Sequence, residues 1–211
     1  RQAMEHHYLG AGPLCGAQLR YLIQSPTGCL GALAFSAAAL KVRPRDEVIG
    51  WTEEVRRHQL ERVVNNSRFL ILPWVEVPHL ASHVLSLVTA RLPQDWRERY
   101  GISPVLLETF IQAERFQGTC YEAAGWQSLG QTAGRGRQDR AHQNSASIKS
   151  IWIKPWDPQW KELLQAAPEV RYLAPLRGPA LARAKAPAAD WAEEEMGGAI
   201  LGDLRLNRRL I

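Results

Sequence analysis

The chain has 211 residues and is 45% hydrophobic, enough for a core and too much for a disordered polymer. No apolar run approaches the roughly 18 residues of a membrane helix, and its three cysteines (Cys15, Cys29, Cys120) lack the spacing of a metal knuckle. An odd cysteine count argues against a disulfide scaffold and fits a reducing compartment, while a formal net charge of +5 permits a nucleic-acid partner.

In chain order, residues 17–36 predict a hairpin, with two apolar runs around Ser25-Pro26-Thr27-Gly28. Pro at the second turn position and Gly at the fourth favour a type I turn. Residues 52–64 predict a helix capped by Thr52, with Glu53 and Glu54 in its first turn. The near-continuous apolar run 68–76 predicts a buried strand, in which Pro73 implies a bulge or an exposed edge. Pro78 opens a helix expected to stop at Pro93, and a short helix around 95–100 should end at Gly101. A strand over 104–111, a helix over 118–124 closed by Gly125, and strands beginning at 126 and over 147–153 follow. Asp157-Pro158 opens a last helix that turns Trp160, Leu163 and Leu164 inward. This order predicts an α/β fold: a mixed sheet flanked by helices.

Residues 174–189 are a Pro/Ala/Arg linker by composition, and 191–211 are rich in helix formers, so the tail is expected to be short and helical. The chain starts at Arg1 rather than Met and stops after Arg208-Arg209. It therefore reads as a piece of a longer frame: an α/β domain over 1–168, a linker over 169–189, and the start of another module over 190–211.

The charge is local. From Gly134 to Lys154 there are five basic residues (Arg135, Arg137, Arg140, Lys149, Lys154) and one acid, Asp139, which gives +4. Within this stretch, Gly134-Arg135-Gly136-Arg137 lies between two predicted strands. Glycines permit a tight backbone there, and two guanidiniums can grip phosphate bidentately. The plainer alternative is a solvated hairpin loop. Arg68 and Lys149 are the nearest further candidates for a phosphate.

Other candidates fall in or beside the predicted core. Asn65 and Asn66 enter the central strand, where they could line a ligand pocket or hydrogen-bond local backbone; Thr109 is a further pocket candidate. Glu108 lies in the apolar run Leu-Leu-Glu-Thr-Phe. A carboxylate there either pairs with an Arg or faces a pocket as a general base. Cys120 beside Tyr121 is a buried thiol or a nucleophile. His79 and His83, four apart, share a helix face but lack a third ligand, so no metal site is expected. Trp51, Trp74 and Trp126 are core residues or stacking platforms for a base.

Gly118-Thr119-Cys120-Tyr121-Glu122-Ala123-Ala124-Gly125-Trp126 resembles the tyrosine-bearing helix of the GCN-five-related acyltransferases, and the element order resembles their fold. That resemblance implies Tyr121 as general acid; Glu108, read as a pocket group, would be the base, and His7 is a further candidate for the site. Those enzymes hold the CoA pyrophosphate on a Gly-rich turn. The corresponding Val77-Pro78-His79-Leu80-Ala81 has no glycine and loses an amide donor at Pro78. The cofactor is thus left unknown, with CoA disfavoured.

A second resemblance spans residues 6 to about 164. Its motifs are His7-Tyr8-Leu9-Gly10, 28–35 (Gly-Cys-Leu-Gly-Ala-Leu-Ala-Phe), Ile49-Gly50-Trp51, 64–72, 80–85, Leu107-Glu108-Thr109-Phe110 and 130–137. The chain is identified on these as resembling the DruA family of Druantia anti-phage defence systems, found also beside or fused to transposases. The tail 191–205, with Leu201-Gly202-Asp203-Leu204-Arg205, is similar to the N-terminal DNA-binding region of transposon-five-type transposases. Together these imply a prokaryotic, cytoplasmic, transposon-associated or defence protein. Its expected partners are DNA or RNA and other defence or transposase components, with no membrane partner. An acyltransferase-like enzyme with a non-standard donor is the alternative.

Overall fold

A computed structural model describes residues 14, 16–132 and 147–166, and the backbone of 205–209. Seven strands form one sheet in the order β5-β6-β4-β3-β2-β1-β7. They are β1 (Gln18–Ser25), β2 (Gly28–Ala37), β3 (Val63–Ile71), β4 (Leu106–Gln112), β5 (Gln127–Gln131), β6 (Lys149–Pro155) and β7 (Arg205–Arg209). Every pairing is antiparallel except β3 with β4, which a helical crossover joins. The helices are α1 (Arg43–Ile49), α2 (Glu53–Gln59), α3 (Leu80–Tyr100), α4 (Thr119–Ala123) and α5 (Trp160–Gln165). This is the expected mixed sheet flanked by helices. Among the described residues, no helix is long and apolar enough to cross a membrane.

Alternation along the strands divides the core into two layers. Val64 and Leu107 join Leu80, Val84, Val88 and Trp96 of α3 on one face. Val63, Leu106 and Ile153 join Ile49, Trp160 and Leu164 on the other. The β1–β2 hairpin turns at Pro26-Thr27, with Ser25 opposite Gly28, as its turn residues predict.

Several boundaries differ from the sequence expectation. Thr52 does cap α2, accepting from the Val55 amide at 3.2 Å. The helix nevertheless ends at Gln59, tightens into a single 3₁₀ turn over Leu60–Arg62, and gives way to β3 at Val63. Val63 and Val64 are fully buried in the sheet, a position better suited to β-branched residues than a helix terminus is. β3 stops at Ile71, so Pro73 lies beyond it and neither bulges the strand nor marks its edge. The irregularity sits earlier, opposite Ala34/Phe35, where Ser67 is the extra residue.

Helix α3 runs through Pro93 instead of stopping there. Proline removes the amide that would have bonded the Thr89 carbonyl four residues back. The Trp156 indole replaces it, donating to Thr89 O at 2.7 Å. Helix α1 escaped the sequence reading, although Pro44 in its first turn and the left-handed cap Gly50 (φ 75°) mark both ends. The expected helical tail is also corrected in its described part. Residues 205–209 form β7 against β1, whose outer edge offers unpaired backbone groups that a strand can satisfy. Residues 190–204 lie outside the described residues.

Candidate functional site

β3 and β4 pair only from Val63↔Leu106 to Asn66↔Thr109. Beyond that point β3 continues to Ile71 beside β2, and β4 to Gln112 beside β6. The two strands therefore part, and a cleft of about 560 Å³ lies between them. Its wall is completed by Ala81 near the start of α3 and by residues 115–121 leading into α4. That volume is typical of small-ligand sites.

Three buried polar residues meet where the strands separate. Asn66 Nδ2 donates to the carbonyls of Ala34 (3.2 Å) and Arg68 (3.1 Å). Both partners are acceptors, so the amide orientation is settled and Oδ1 must accept. It accepts from the Tyr121 hydroxyl at 2.7 Å. Thr109 Oγ1 donates to the Asn66 carbonyl at 2.9 Å. Thus the protons of both hydroxyls are committed within the network. Trp126 and Phe69 meet the Tyr121 ring edge-on, at 5.1 and 6.3 Å between centroids, and help fix its position.

The lining also carries cationic and aromatic residues: Arg68, Phe69, Phe110, Arg115 and Phe116. The Arg115 guanidinium lies 5.7 Å from the Phe116 ring centroid. Ser150 pairs with both Ile111 and Gln131. The β5 end and the Lys149 start of β6 accordingly lie at the end of the sheet where β3 and β4 have parted. Thr132 and Lys149 are joined there by a 2.8 Å backbone hydrogen bond.

A family model described as Druantia protein DruA matches residues 1–163. The chain belongs to the DruA family. Membership of the DruA family points to a role in Druantia anti-phage defence, beside other components of that system. No curated protein matches the chain.

Of the residues singled out in the sequence, Asn66, Arg68, Thr109 and Tyr121 converge on the cleft. Lys149, opposite Gln112 at the end of β4, is not among the lining residues. Glu108 and Asn65, partners in register, project from the opposite face of the sheet, two residues along from Leu106 and Val63. His7, Arg135 and Arg137 lie outside the described residues.

Glu108 takes the paired alternative. It is fully buried and accepts from Arg45 Nη1 at 2.8 Å and from the Ala39 amide at 2.9 Å. Burial pushes its carboxyl up, against the pull of Arg45 and of the Ala39 amide. Both oxygens accept hydrogen bonds, so the geometry is that of an ion pair. Arg45 also bonds Asp46, which in turn accepts from Trp51 and Arg56. The whole network ties α1 to β4. Burial likewise pushes the Cys120 thiol up, which keeps it neutral although it lines the cleft. Lys154 is pushed down by burial, beside the Ala124 carbonyl that it bonds.

Sequence reasoning missed Arg115, Phe116 and Arg45. An Arg-Phe pair just after a buried strand and before the helix-starting Gly118 was the available signal for the first two. Arg45 carried none, because nothing local places residue 45 over residue 108.

Proposed function

We propose that this DruA-family chain serves anti-phage defence by binding nucleic acid at the cleft mouth. The observation carrying this reading is the parting of β3 and β4, with Arg68, Arg115 and aromatic rings in the lining of the cleft between them. The segment holding Arg135 and Arg137 springs from the same end of the sheet, between Thr132 and Lys149. Guanidiniums would take phosphates and the rings would take base faces. The tail resembling a transposase DNA-binding region would add a second contact.

Binding of a single-stranded oligonucleotide, measured against salt, tests this. Arg135→Ala/Arg137→Ala should lower the slope of log K against log salt by about 1.4, from about 0.7 per phosphate contact. An unchanged slope overturns the assignment of these arginines.

The second reading is group transfer with an acyl donor. It is favoured by Tyr121 at the head of a cleft between parting parallel strands, the setting of the acyltransferases that the sequence resembles. Two features weigh against it. The Tyr121 proton is directed at Asn66, and α3 is preceded by Pro78 and a left-handed His79 (φ 60°) where a glycine-rich cradle would stand. Loss of a transfer activity in Tyr121→Phe with folding intact would favour this second reading.

A further inference from the structure

The cleft follows two strand edges rather than one face of the sheet. It is lined by the consecutive residues 66–71 of β3 and 109–111 of β4, and consecutive strand residues alternate between faces. What the two strands share along it is main chain. The direction of that main chain follows from the bonds on the outer sides. The Leu72 amide donates to Leu30 O, which makes these two a hydrogen-bonded pair continuing the β2–β3 register. By alternation Ile71 and Phe69 turn their N–H and C=O the other way, toward β4. The Ala113 amide likewise donates to Ile148 O, in line with the β4–β6 register, so Phe110 turns its N–H and C=O toward β3. Pairing of β3 with β4 ends at Asn66↔Thr109. Among the described residues, the main-chain groups of Phe69, Ile71 and Phe110 therefore have no partner across the cleft that they line.

These are obligatory hydrogen-bonding groups, and along β3 they repeat every second residue, about 6.6 Å. An extended peptide reproduces that repeat and can present donors and acceptors to both strands at once, whereas the edge of a nucleobase is too short to follow it. The flanking side chains are apolar on both faces: Phe69, Ile71 and Ile111 on the face of Tyr121, Leu70 and Phe110 on the other. A strand seated there would be covered on both sides, which suits a near-continuous apolar run. We infer that the cleft takes an extended apolar segment of a partner protein as an added strand between β3 and β4, held by main-chain hydrogen bonds to Phe69 and Ile71 on one side and to Phe110 on the other. Membership of a defence-system family supplies the setting for a protein partner. This goes beyond the nucleic-acid reading, which uses side chains and loops, and it asks nothing of Tyr121, Arg68 or Arg115.

An acetylated, amidated hexapeptide of alternating valine and threonine is the probe, since both residues favour strands and neither carries charge. With a dissociation constant of about 0.1 mM, about 1 mM peptide should slow exchange of the Phe69, Ile71 and Phe110 amide protons about tenfold in the full chain, followed residue by residue by NMR. The Leu70 and Ile111 amides, directed at β2 and β6, should change by less than about twofold.

Methylation of peptide nitrogens removes donors without touching side chains. An inserted strand uses both of its edges, so methylating either alternate set of nitrogens should abolish the protection. Protection that survives methylation of one set overturns insertion, because the peptide then lies along a single strand. No protection by the peptide, with single-stranded DNA still bound by the chain, overturns this inference and leaves the nucleic-acid reading standing. Protection by the peptide without DNA binding does the reverse. Protection of the three amides by CoA and not by the peptide overturns it in favour of group transfer.

Discussion

Glu108→Gln separates a structural from a catalytic carboxylate. The substitution keeps size and shape and removes one charge. The surroundings make it costly all the same. One Glu108 oxygen accepts from the Ala39 amide and the other from Arg45 Nη1. A glutamine must turn its NH₂ toward one of these donors, and Arg45, with 0% side-chain exposure, loses half of its counter-charge. Breaking one partner of a buried pair costs about 3–5 kcal/mol, and Asp46 at 2.8 Å keeps the loss toward the lower end. With a urea m-value of about 2 kcal/mol/M, the unfolding midpoint should fall by roughly 1.5–2.5 M at unchanged m. The exposed Glu114→Gln serves as control and should shift stability by less than about 0.5 kcal/mol. Arg45→Met/Glu108→Leu should recover part of the loss, because neither member of the buried pair is then left alone, while Asp46 gives up Arg45 and keeps Trp51 and Arg56. A Glu108→Gln protein within about 1 kcal/mol of the parent would refute the argument. It would return Glu108 to candidacy as a catalytic base.

Two further outcomes follow from single contacts. Trp156→Phe should cost about 1–2 kcal/mol by stranding the Thr89 carbonyl. Pro93→Ala should rescue that variant in denaturant unfolding, since the restored amide can take the same carbonyl; additive effects would show that the indole does not stand in for it. The Cys120 thiol, raised by burial, should alkylate slowly at neutral pH. Its rate should climb with a midpoint above the ordinary thiol range, because a raised acid pKa leaves less thiolate at any given pH. A midpoint near neutrality would instead mark an activated nucleophile.

The sequence by itself determined the class of fold, most of the element order and the family, because these depend on short-range signals. Periodicity told helix from strand, and Pro26, Thr52, Gly101 and Gly125 punctuated the chain much as expected. Local rules failed where a distant group changed the outcome. Pro93 reads as a helix stop until Trp156, 63 positions later, supplies the missing donor. Val63 and Val64 continue a helical pattern until burial beside β4 draws them into the sheet. In the cleft, Asn66 and Thr109 were visible as polar residues entering or within apolar runs, and Tyr121 through the likeness of residues 118–126 to the acyltransferase helix. Their meeting was decided by the register Asn66↔Thr109, which is also where the strands part.

Glu108 shows the same division. Its apolar surroundings demanded either a partner or a pocket, and the sequence could carry both answers. A one-residue alternation along β4 turns Thr109 into the cleft and Glu108 to the opposite face, where Arg45 waits. Side-chain type is a property of the chain, but which face a strand residue serves is a property of pairing. Only the folded sheet could place the acid in a buried ion pair and the tyrosine on the cleft.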